Sequence, residues 1–239
     1  MSASRDRKTG PANKSAWAIL LAGGDLPGFG PDIDPLFLSL KSQPILSYAI
    51  SAVERCPEIE HVLIVASPPR VERIRAMIGM FGSSKCKAII PAAGSRDAMV
   101  RAALQSLGES KPAFLAIVDG AMPFVTADML SETVRLAKKY GAASAANEIT
   151  GPIVRTDHGA KVTGWSNGST WWRTSGPQAF RVEVLEKALE YAAKKKLQVP
   201  DEASAVVAMK QDLRILPVQQ RLIRIETRPD LALAEFLMR

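Results

Sequence analysis

Short apolar segments recur along the chain at intervals that leave room for a helix between them, and this alternation restricts the fold more than any other feature. The apolar segments predict five β-strands, at residues 17–22, 61–66, 88–91, 113–119 and 142–146. Periodic segments between them predict four helices, at residues 44–55, 68–80, 95–107 and 126–140. Pro44 suits a first helical turn, and Ser95 and Thr126 suit N-caps. Such alternation indicates an α/β fold with a mostly parallel sheet flanked by helices on both faces.

The second half of the chain departs from this rhythm before returning to it. Residues 147–178 are rich in Gly, Thr, Asn and Trp without helical period, which predicts a β arm that leaves the main sheet. A helix should begin near Arg181, followed by a short helix at 201–210, strands at 213–218 and 222–226, and a closing helix at 228–238. Since there is no internal repeat and no linker, we expect one domain over residues 16–239, preceded by a flexible basic tail at 1–15.

Composition narrows the class of protein and its compartment. The 239 residues are 47% hydrophobic, which supports a substantial core. Two cysteines make neither a disulfide framework nor a zinc site. No apolar run approaches the ~20 residues that span a bilayer, and the first fifteen residues lack the apolar core of a signal peptide. A cytoplasmic protein is expected. The net charge of +7 lies partly in the tail and in Lys194–Lys196, so it does not favour a nucleic-acid partner.

The loop after the first strand is the main local sequence feature that suggests a binding site. It reads LAGGDLPGFG from Leu21 to Gly30, and its glycines would let backbone amides approach an anion closely. It fits neither GxGxxG nor GxxxxGK[ST], so it is equally compatible with a plain glycine-rich turn. The GxSxG match at residues 164–168 does not indicate a hydrolase, because no helix follows it and both histidines precede Ser166.

Several landmarks, taken together, give the chain a family resemblance from about residue 17 to the end. They are LAGG at Leu21–Gly24, Phe37 with Pro44-Ile45-Leu46, Ser95-Arg96, Asp119 followed by Pro123-Phe124-Val125-Thr126, Pro177-Gln178-Ala179-Phe180, Asp201-Glu202-Ala203-Ser204, and the run from Asp230 to Phe236. In these segments the chain resembles the 2-C-methyl-D-erythritol 4-phosphate cytidylyltransferases, enzymes of isoprenoid precursor biosynthesis. The resemblance implies a Rossmann-like nucleotidyltransferase fold and a homodimer held partly by the arm. It also implies a reaction of CTP with a polyol phosphate to give a CDP-polyol and pyrophosphate, with Mg²⁺ as cofactor.

The resemblance also implies which residues would form a site. Ala22, Gly23 and Gly24 would offer their backbone to the nucleotide, together with Ser95 and Arg96. Asp119 would carry the metal, and Arg224 stands where the family has a catalytic Lys before the last helix. Each also has a plain structural interpretation: Asp119 could cap a turn, Ser95 and Arg96 could be an N-cap and a solvated helix residue, and Arg224 could face solvent on a strand.

Many of the family's charged positions are substituted here. The first-loop Arg and the Lys that follows it align with Gly28 and Pro35, and the Arg that grips the acceptor phosphate aligns with Met122. The remaining substituted positions are Ala92, Ala93, Met99, Pro152 and Gly168. Nucleotidyl transfer depends on fixed cations around the transferring and leaving phosphates, so the standard activity is in doubt.

Three interpretations therefore remain open. The chain could be a catalytically inactive nucleotide-binding or protein-interaction homologue, whose arm tryptophans Trp165, Trp171 and Trp172 suit an interface. It could be a transferase with a less charged acceptor, or one in which Lys41, Arg155 or Arg173 replaces the lost cations. Three basic groups near Asp119 would favour an enzyme.

Overall fold

A computed structural model describes residues 16–239 except 25, 27, 31 and 169. The predicted tail at residues 1–15 therefore lies outside the described residues. The strands are β1 (Ala16–Ala22), β2 (Ser39–Leu40), β3 (Gln43–Pro44), β4 (Ile59–Ala66), β5 (Cys86–Pro91), β6 (Phe114–Asp119), β7 (Ala142–Glu148), β8 (Ile153–Thr156), β9 (Val162–Ser166), β10 (Trp172–Arg181) and β11 (Arg214–Pro217). The helices are α1 (Ile45–Arg55), α2 (Val71–Phe81), α3 (Arg96–Ser106), α4 (Ala127–Tyr140), α5 (Val182–Lys194), α6 (Glu202–Ala208) and α7 (Arg228–Leu237).

Seven strands form the central sheet, in the order β11-β7-β10-β6-β1-β4-β5. β1 pairs in parallel with both β4 and β6, and β4 pairs in parallel with β5. β10 runs antiparallel to its neighbours β6 and β7. The prediction of a mostly parallel sheet flanked by helices is thereby confirmed.

The pleat of β1 shows why the sheet needs helices on both faces. Every residue of β1 is buried. Ala18 and Leu20 belong to the apolar cluster that includes α1 and α4, whereas Trp17 and Ile19 belong to the cluster that includes α3 and α5. Since alternate side chains of a strand point to opposite faces, a strand that is apolar at every position must be covered twice.

The predicted helices are confirmed with small shifts at their ends. Ser95 and Thr126 are N-caps, whose side-chain oxygens accept hydrogen bonds from the Ala98 and Met129 amides, both at 3.2 Å. Pro44 precedes α1 as its N-cap and does not lie in its first turn. In the part of the chain that the structure describes, no helix has the length and apolarity needed to cross a membrane.

The predicted arm at residues 147–178 is correct only for its middle part. β8 and β9 form a separate antiparallel hairpin, but β7 extends to Glu148 and β10 starts at Trp172 in the main sheet. The sequence prediction missed β10 because its first half is mostly polar and incompletely buried, and only the part from Pro177 to Phe180 is buried. Gln178 pairs with Ile117 of β6 and with Ser144 of β7, which makes β10 an internal strand.

The predicted strand at residues 222–226 is wrong. β11 ends at Pro217, and the Asn147 side chain then donates to the Val218 and Gln220 carbonyls and accepts from the Leu222 amide. These bonds divert the chain across the end of the sheet. The Ile225 amide donates to the Ala121 carbonyl at 2.9 Å, which brings residues 222–226 over the end of β6.

Candidate functional site

A cleft of about 610 Å³ opens at the carboxyl ends of β1 and β6. Residues from the glycine-rich loop, the start of α3, the end of β6, the middle of β10 and the segment before α7 line it. The predicted site residues Ala22, Gly24, Arg96, Asp119 and Arg224 are all among them. This edge is where ligands bind in open α/β sheets.

The first part of the glycine-rich loop is packed closely against α3. A Cβ atom at Gly23 would lie 2.5 Å from the Met99 sulfur and 3.0 Å from the Ala92 carbonyl oxygen, so a larger residue here would force Met99 or the loop to shift. At Gly24 a Cβ atom would come no nearer than 3.8 Å, to Nη2 of Arg224. Gly23 therefore serves the packing of the loop, and Gly24 faces the cleft.

Arg70 fixes the same loop from the side of β4. Its Nη1 donates to the carbonyl oxygens of Ala22 and Gly24, both at 2.9 Å, and its Nε donates to Oδ2 of Asp34 at 2.7 Å. Asp34 in turn accepts a hydrogen bond from the Leu36 amide at 3.2 Å. One guanidinium thus joins both sides of the loop that begins the cleft.

Ser95 and Arg96 differ in their roles. Ser95 caps α3, as its plain structural interpretation holds, whereas Arg96 extends into the cleft. The guanidinium of Arg96 forms a bidentate pair with Glu202, through Nε at 3.0 and 3.1 Å and Nη2 at 2.8 Å. Glu202 is only 1% exposed. Burial raises the pKa of this carboxyl, and the charge and hydrogen bonds of Arg96 act in the opposite direction.

Asp119 is the centre of an ion-pair network. Its Oδ2 accepts a hydrogen bond from Nε of Arg224 at 2.8 Å and lies 3.7 Å from Nη1 of Arg96. Its Oδ1 accepts from the Ala121 amide at 2.9 Å. Arg224 also pairs with Glu226. The alternative in which Arg224 faces solvent from a strand is thereby excluded.

The cations of the cleft are consequently matched by carboxylates. Arg96 and Arg224 pair with Asp119, Glu202 and Glu226. Asp201 also lines the cleft and accepts from Gln178 Nε2 at 2.7 Å. Lys41, Arg155 and Arg173 are not among the described residues that line it. Within the described chain, two basic side chains reach Asp119, one fewer than the number that would favour an enzyme.

The residues around Asp119 do not fit Mg²⁺ in this arrangement. Mg²⁺ needs carboxylate oxygens free to coordinate it. Both oxygens of Asp119 have protein partners, and the partners of Oδ2 are guanidinium groups that would repel a divalent cation. The role of Asp119 as a metal ligand stays a prediction.

The positions where the family has cations are apolar or closely packed in this chain. Met122 is 4% exposed and lines the cleft beside Met99. Pro35 is buried and begins a 3-10 turn whose N-cap is Asp34. A Cβ atom at Gly28 would lie 2.3 Å from the Glu226 carbonyl oxygen, so no side chain fits there without a backbone shift.

Sequence reasoning missed four residues that shape the site. Glu202 and Asp201 belong to a segment that served only to support the family resemblance. A carboxylate directly before a helix could have suggested an ion pair with a basic residue. Glu226 lies two residues after Arg224, in the segment wrongly predicted as a strand. Arg70 gave no signal, since a basic residue after two prolines is typical of an exposed turn.

The fold and the cleft first define a class: this is an α/β protein with a Rossmann-like nucleotidyltransferase fold. A crystal structure of 4-diphosphocytidyl-2C-methyl-D-erythritol synthase from Anaerococcus prevotii matches it with a TM-score of 0.82 and 18% identity, over 95% of this chain and 97% of that one. The 2-C-methyl-D-erythritol 4-phosphate cytidylyltransferase structure from Thermus thermophilus gives a TM-score of 0.68 and 20% identity, over 92% and 97%. At these identities the likeness shows the fold alone.

Sequence comparison then identifies the family. The family model of 2-C-methyl-D-erythritol 4-phosphate cytidylyltransferase matches residues 17–239, so the chain belongs to this family. The cytidylyltransferase of Desulforamulus reducens is 26% identical over 226 residues, which cover 93% of this chain and 95% of that protein. The bifunctional enzyme IspD/IspF of Desulforudis audaxviator is 31% identical over 229 residues, but the match covers 92% of this chain and only 56% of that protein.

Proposed function

We propose that this chain binds a nucleoside triphosphate such as CTP in the cleft, and transfers its nucleotidyl group to 2-C-methyl-D-erythritol 4-phosphate far more slowly than its relatives do, or not at all. One observation carries the proposal. Arg96 and Arg224, the two arginines that reach Asp119, are already paired with carboxylates. They are therefore poorly placed to neutralise a polyphosphate.

The reaction needs more positive charge than this cleft offers. Two anions must meet, a phosphate of the acceptor and the α-phosphate of the nucleotide, and the leaving pyrophosphate gains charge as it departs. Fixed cations aimed at that developing charge supply the largest share of catalysis in such transfers. Removing one such group typically costs on the order of a hundredfold or more in rate, and groups that act as a unit are not additive.

Support for nucleotide binding comes from the glycine-rich loop. Arg70 occupies the carbonyl oxygens of Ala22 and Gly24, so these two oxygens are already paired with a cation when an anion enters. Arg70 thereby holds the first part of the loop, at Ala22 and Gly24, before a ligand arrives. A preformed loop loses less entropy on binding, which supports weak binding of a phosphate even where side-chain cations are neutralised.

A pyrophosphate-release assay tests the proposal. CTP and 2-C-methyl-D-erythritol 4-phosphate are supplied with Mg²⁺, and a cytidylyltransferase of the family is run in parallel. We expect turnover lower by several orders of magnitude than that of the relative, with CTP binding in the millimolar range by calorimetry. Comparable turnover would contradict the proposal, as would the absence of CTP binding at millimolar concentration.

Restoring two of the lost charges should recover little activity. Met122→Arg places a cation near Asp119, but Gly28→Arg collides with the backbone of Glu226, as the 2.3 Å approach of a Cβ atom shows. Pro35 fixes the backbone where a lysine would have to reach inward. We expect the Gly28→Arg/Met122→Arg variant to stay near the wild-type rate. Recovery to the rate of the relative would contradict this.

We also propose that the arm formed by β8 and β9 associates with a second copy of the chain. Val154 and Trp165 are cross-strand partners in this hairpin, and they are 55% and 80% exposed. Trp171, beside the hairpin, is 51% exposed, so neither tryptophan packs inside the arm. Exposed aromatic residues of this kind are typical of interfaces.

Sedimentation velocity tests the association. We expect a dimer at tens of micromolar and a monomer after Trp165→Ser. Phe236→Ser is the matched control, because Phe236 is also an exposed aromatic residue (62%) but lies on α7. A wild-type monomer at this concentration would contradict the proposal.

A further inference from the structure

Both carboxylate oxygens of Asp119 already have protein partners, and those of Oδ2 are cationic. Oδ1 accepts from the Ala121 amide at 2.9 Å, and Oδ2 is shared between Nε of Arg224 at 2.8 Å and Nη1 of Arg96 at 3.7 Å. The side chain of Asp119 is only 13% exposed. Water therefore competes weakly for this carboxylate, and the two guanidinium groups dominate its surroundings.

Each arginine is held in place by a second carboxylate. Glu202 binds Arg96 in a bidentate pair, and Glu226 binds Arg224. Arg96 lies on α3 and Glu202 on α6, whereas Arg224 and Glu226 lie two residues apart in the segment before α7. The bidentate pair with Glu202 is geometrically specific, so Arg96 cannot swing away from Asp119 without breaking it, while Arg224 makes a single further contact, with Glu226.

We infer that the guanidinium groups of Arg224 and Arg96 take the place of a divalent cation on Asp119, so that this chain excludes Mg²⁺ and similar ions from the cleft. A divalent ion on Oδ2 would lie within a few ångströms of two positive charges, in a partly buried site where screening by solvent is weak. Mg²⁺ also gives up its water reluctantly, so it does not displace a well-placed guanidinium. The inference does not rest on the proposed nucleotide binding, because it concerns the protein without ligand.

Mn²⁺ serves as the probe, since the electron paramagnetic resonance signal of the free ion falls when the ion binds. The full-length protein is titrated as wild type, Arg224→Gln, Asp119→Asn and Arg224→Gln/Asp119→Asn. Arg135→Gln is the matched control. Arg135 shares the carboxylate of Glu58 with Lys138, as Arg224 shares Asp119 with Arg96, but it lies on α4 outside the cleft lining.

We expect the wild type, Asp119→Asn and Arg135→Gln to bind Mn²⁺ equally weakly. Arg224→Gln should bind it at least about tenfold more tightly, because one of the two repelling charges is gone and Asp119 and Glu226 are both released. The double variant should lose this gain. Equal affinity of the wild type and Arg224→Gln would overturn the inference.

A second comparison keeps the test valid if Arg224→Gln does not fold, which its circular dichroism will show. Wild type and Asp119→Asn alone are then compared. We expect the same Mn²⁺ titration for both, because Asp119 is closed to metal in the wild type. Wild-type binding that Asp119→Asn abolishes would overturn the inference without reference to the arginine variant.

Discussion

Removing Arg96 should destabilise the protein more than removing any exposed arginine, because it leaves Glu202 buried and unpaired. Glu202 is 1% exposed, and its side chain accepts hydrogen bonds from Nε and Nη2 of Arg96 at 2.8 to 3.1 Å. Breaking a buried pair by removing one partner costs about 3–5 kcal/mol. The Arg96 side chain is 28% exposed, which places Arg96→Ala at about 3 kcal/mol, the lower end of that range.

Thermal and urea unfolding measure this loss. For a chain of this length, about 3 kcal/mol lowers Tm by roughly 6–12 °C. Arg96→Ala/Glu202→Gln should recover part of the loss, since no buried charge is left unpaired. Exposed Arg135→Ala is the control and should leave Tm and the urea midpoint nearly unchanged, because exposed ion pairs contribute little to stability.

The pH dependence of the same variant separates an unpaired charge from lost packing. Burial raises the pKa of Glu202, and in Arg96→Ala only a backbone hydrogen bond still opposes that rise. A carboxyl whose pKa is higher in the folded state than in the unfolded state destabilises the fold when pH exceeds the unfolded value, and less so as pH falls. The deficit of Arg96→Ala should therefore be smaller at pH 5 than at pH 8. A deficit that is independent of pH, together with a double variant no more stable than the single one, would refute the reasoning.

Three further predictions concern the frame of the cleft and the pH dependence of the fold. Arg70→Ala should lower the free energy of unfolding by about 2–3 kcal/mol, because the carbonyls of Ala22 and Gly24 lose a charged donor. Hydrogen exchange should then increase at Gly24 and change little at β10. Unchanged exchange at Gly24 would contradict the role of Arg70. Gly23→Ala should cost about 1–3 kcal/mol by overpacking against Met99 and the Ala92 carbonyl, and a neutral result in urea unfolding would show that the loop can shift. Burial raises the pKa of Glu54, but hydrogen bonds from Ser84, Ser83 and the Lys85 amide outweigh this effect and lower the pKa to about 2. The stability that Glu54 contributes is therefore present above pH 4.5 and is lost as pH falls toward 2. Since Glu54 is only partly buried, Glu54→Gln should flatten urea-derived stability between pH 3 and 6 by only about 1 kcal/mol, and an equally steep profile would contradict the assignment.

The sequence predicted the parts of the fold that depend on local pattern. β1 is apolar throughout and β4 is apolar from Val62 to Ala66, and α3 and α4 start at N-cap residues, Ser95 and Thr126, that are visible in the sequence. β10 was missed because its position inside the sheet comes from pairing with β6 and β7, which no local pattern encodes. Tertiary pairing decides the structure of such half-polar segments.

The sequence predicted where the candidate site lies, but not that carboxylates neutralise its arginines. Asp119, Arg96 and Arg224 were chosen from the family resemblance, and the structure brings them together at one strand edge. The pair of Arg96 with Glu202 depends on a contact between elements 106 positions apart, whereas Glu226 lies only two residues from Arg224, in a segment wrongly predicted as a strand. A residue-by-residue comparison with a family shows which cations are present, but not which of them are free.

The affinity of CTP for Glu226→Gln tests most directly whether carboxylates suppress anion binding in this cleft. The variant removes one partner of Arg224 and leaves Asp119 in place. Glu235→Gln is the matched control, because it removes the same charge from an exposed position on α7. In calorimetry at low salt without Mg²⁺, we predict that CTP binds Glu226→Gln about three- to tenfold more tightly than it binds the wild type and Glu235→Gln. Equal affinity for all three proteins would contradict the account.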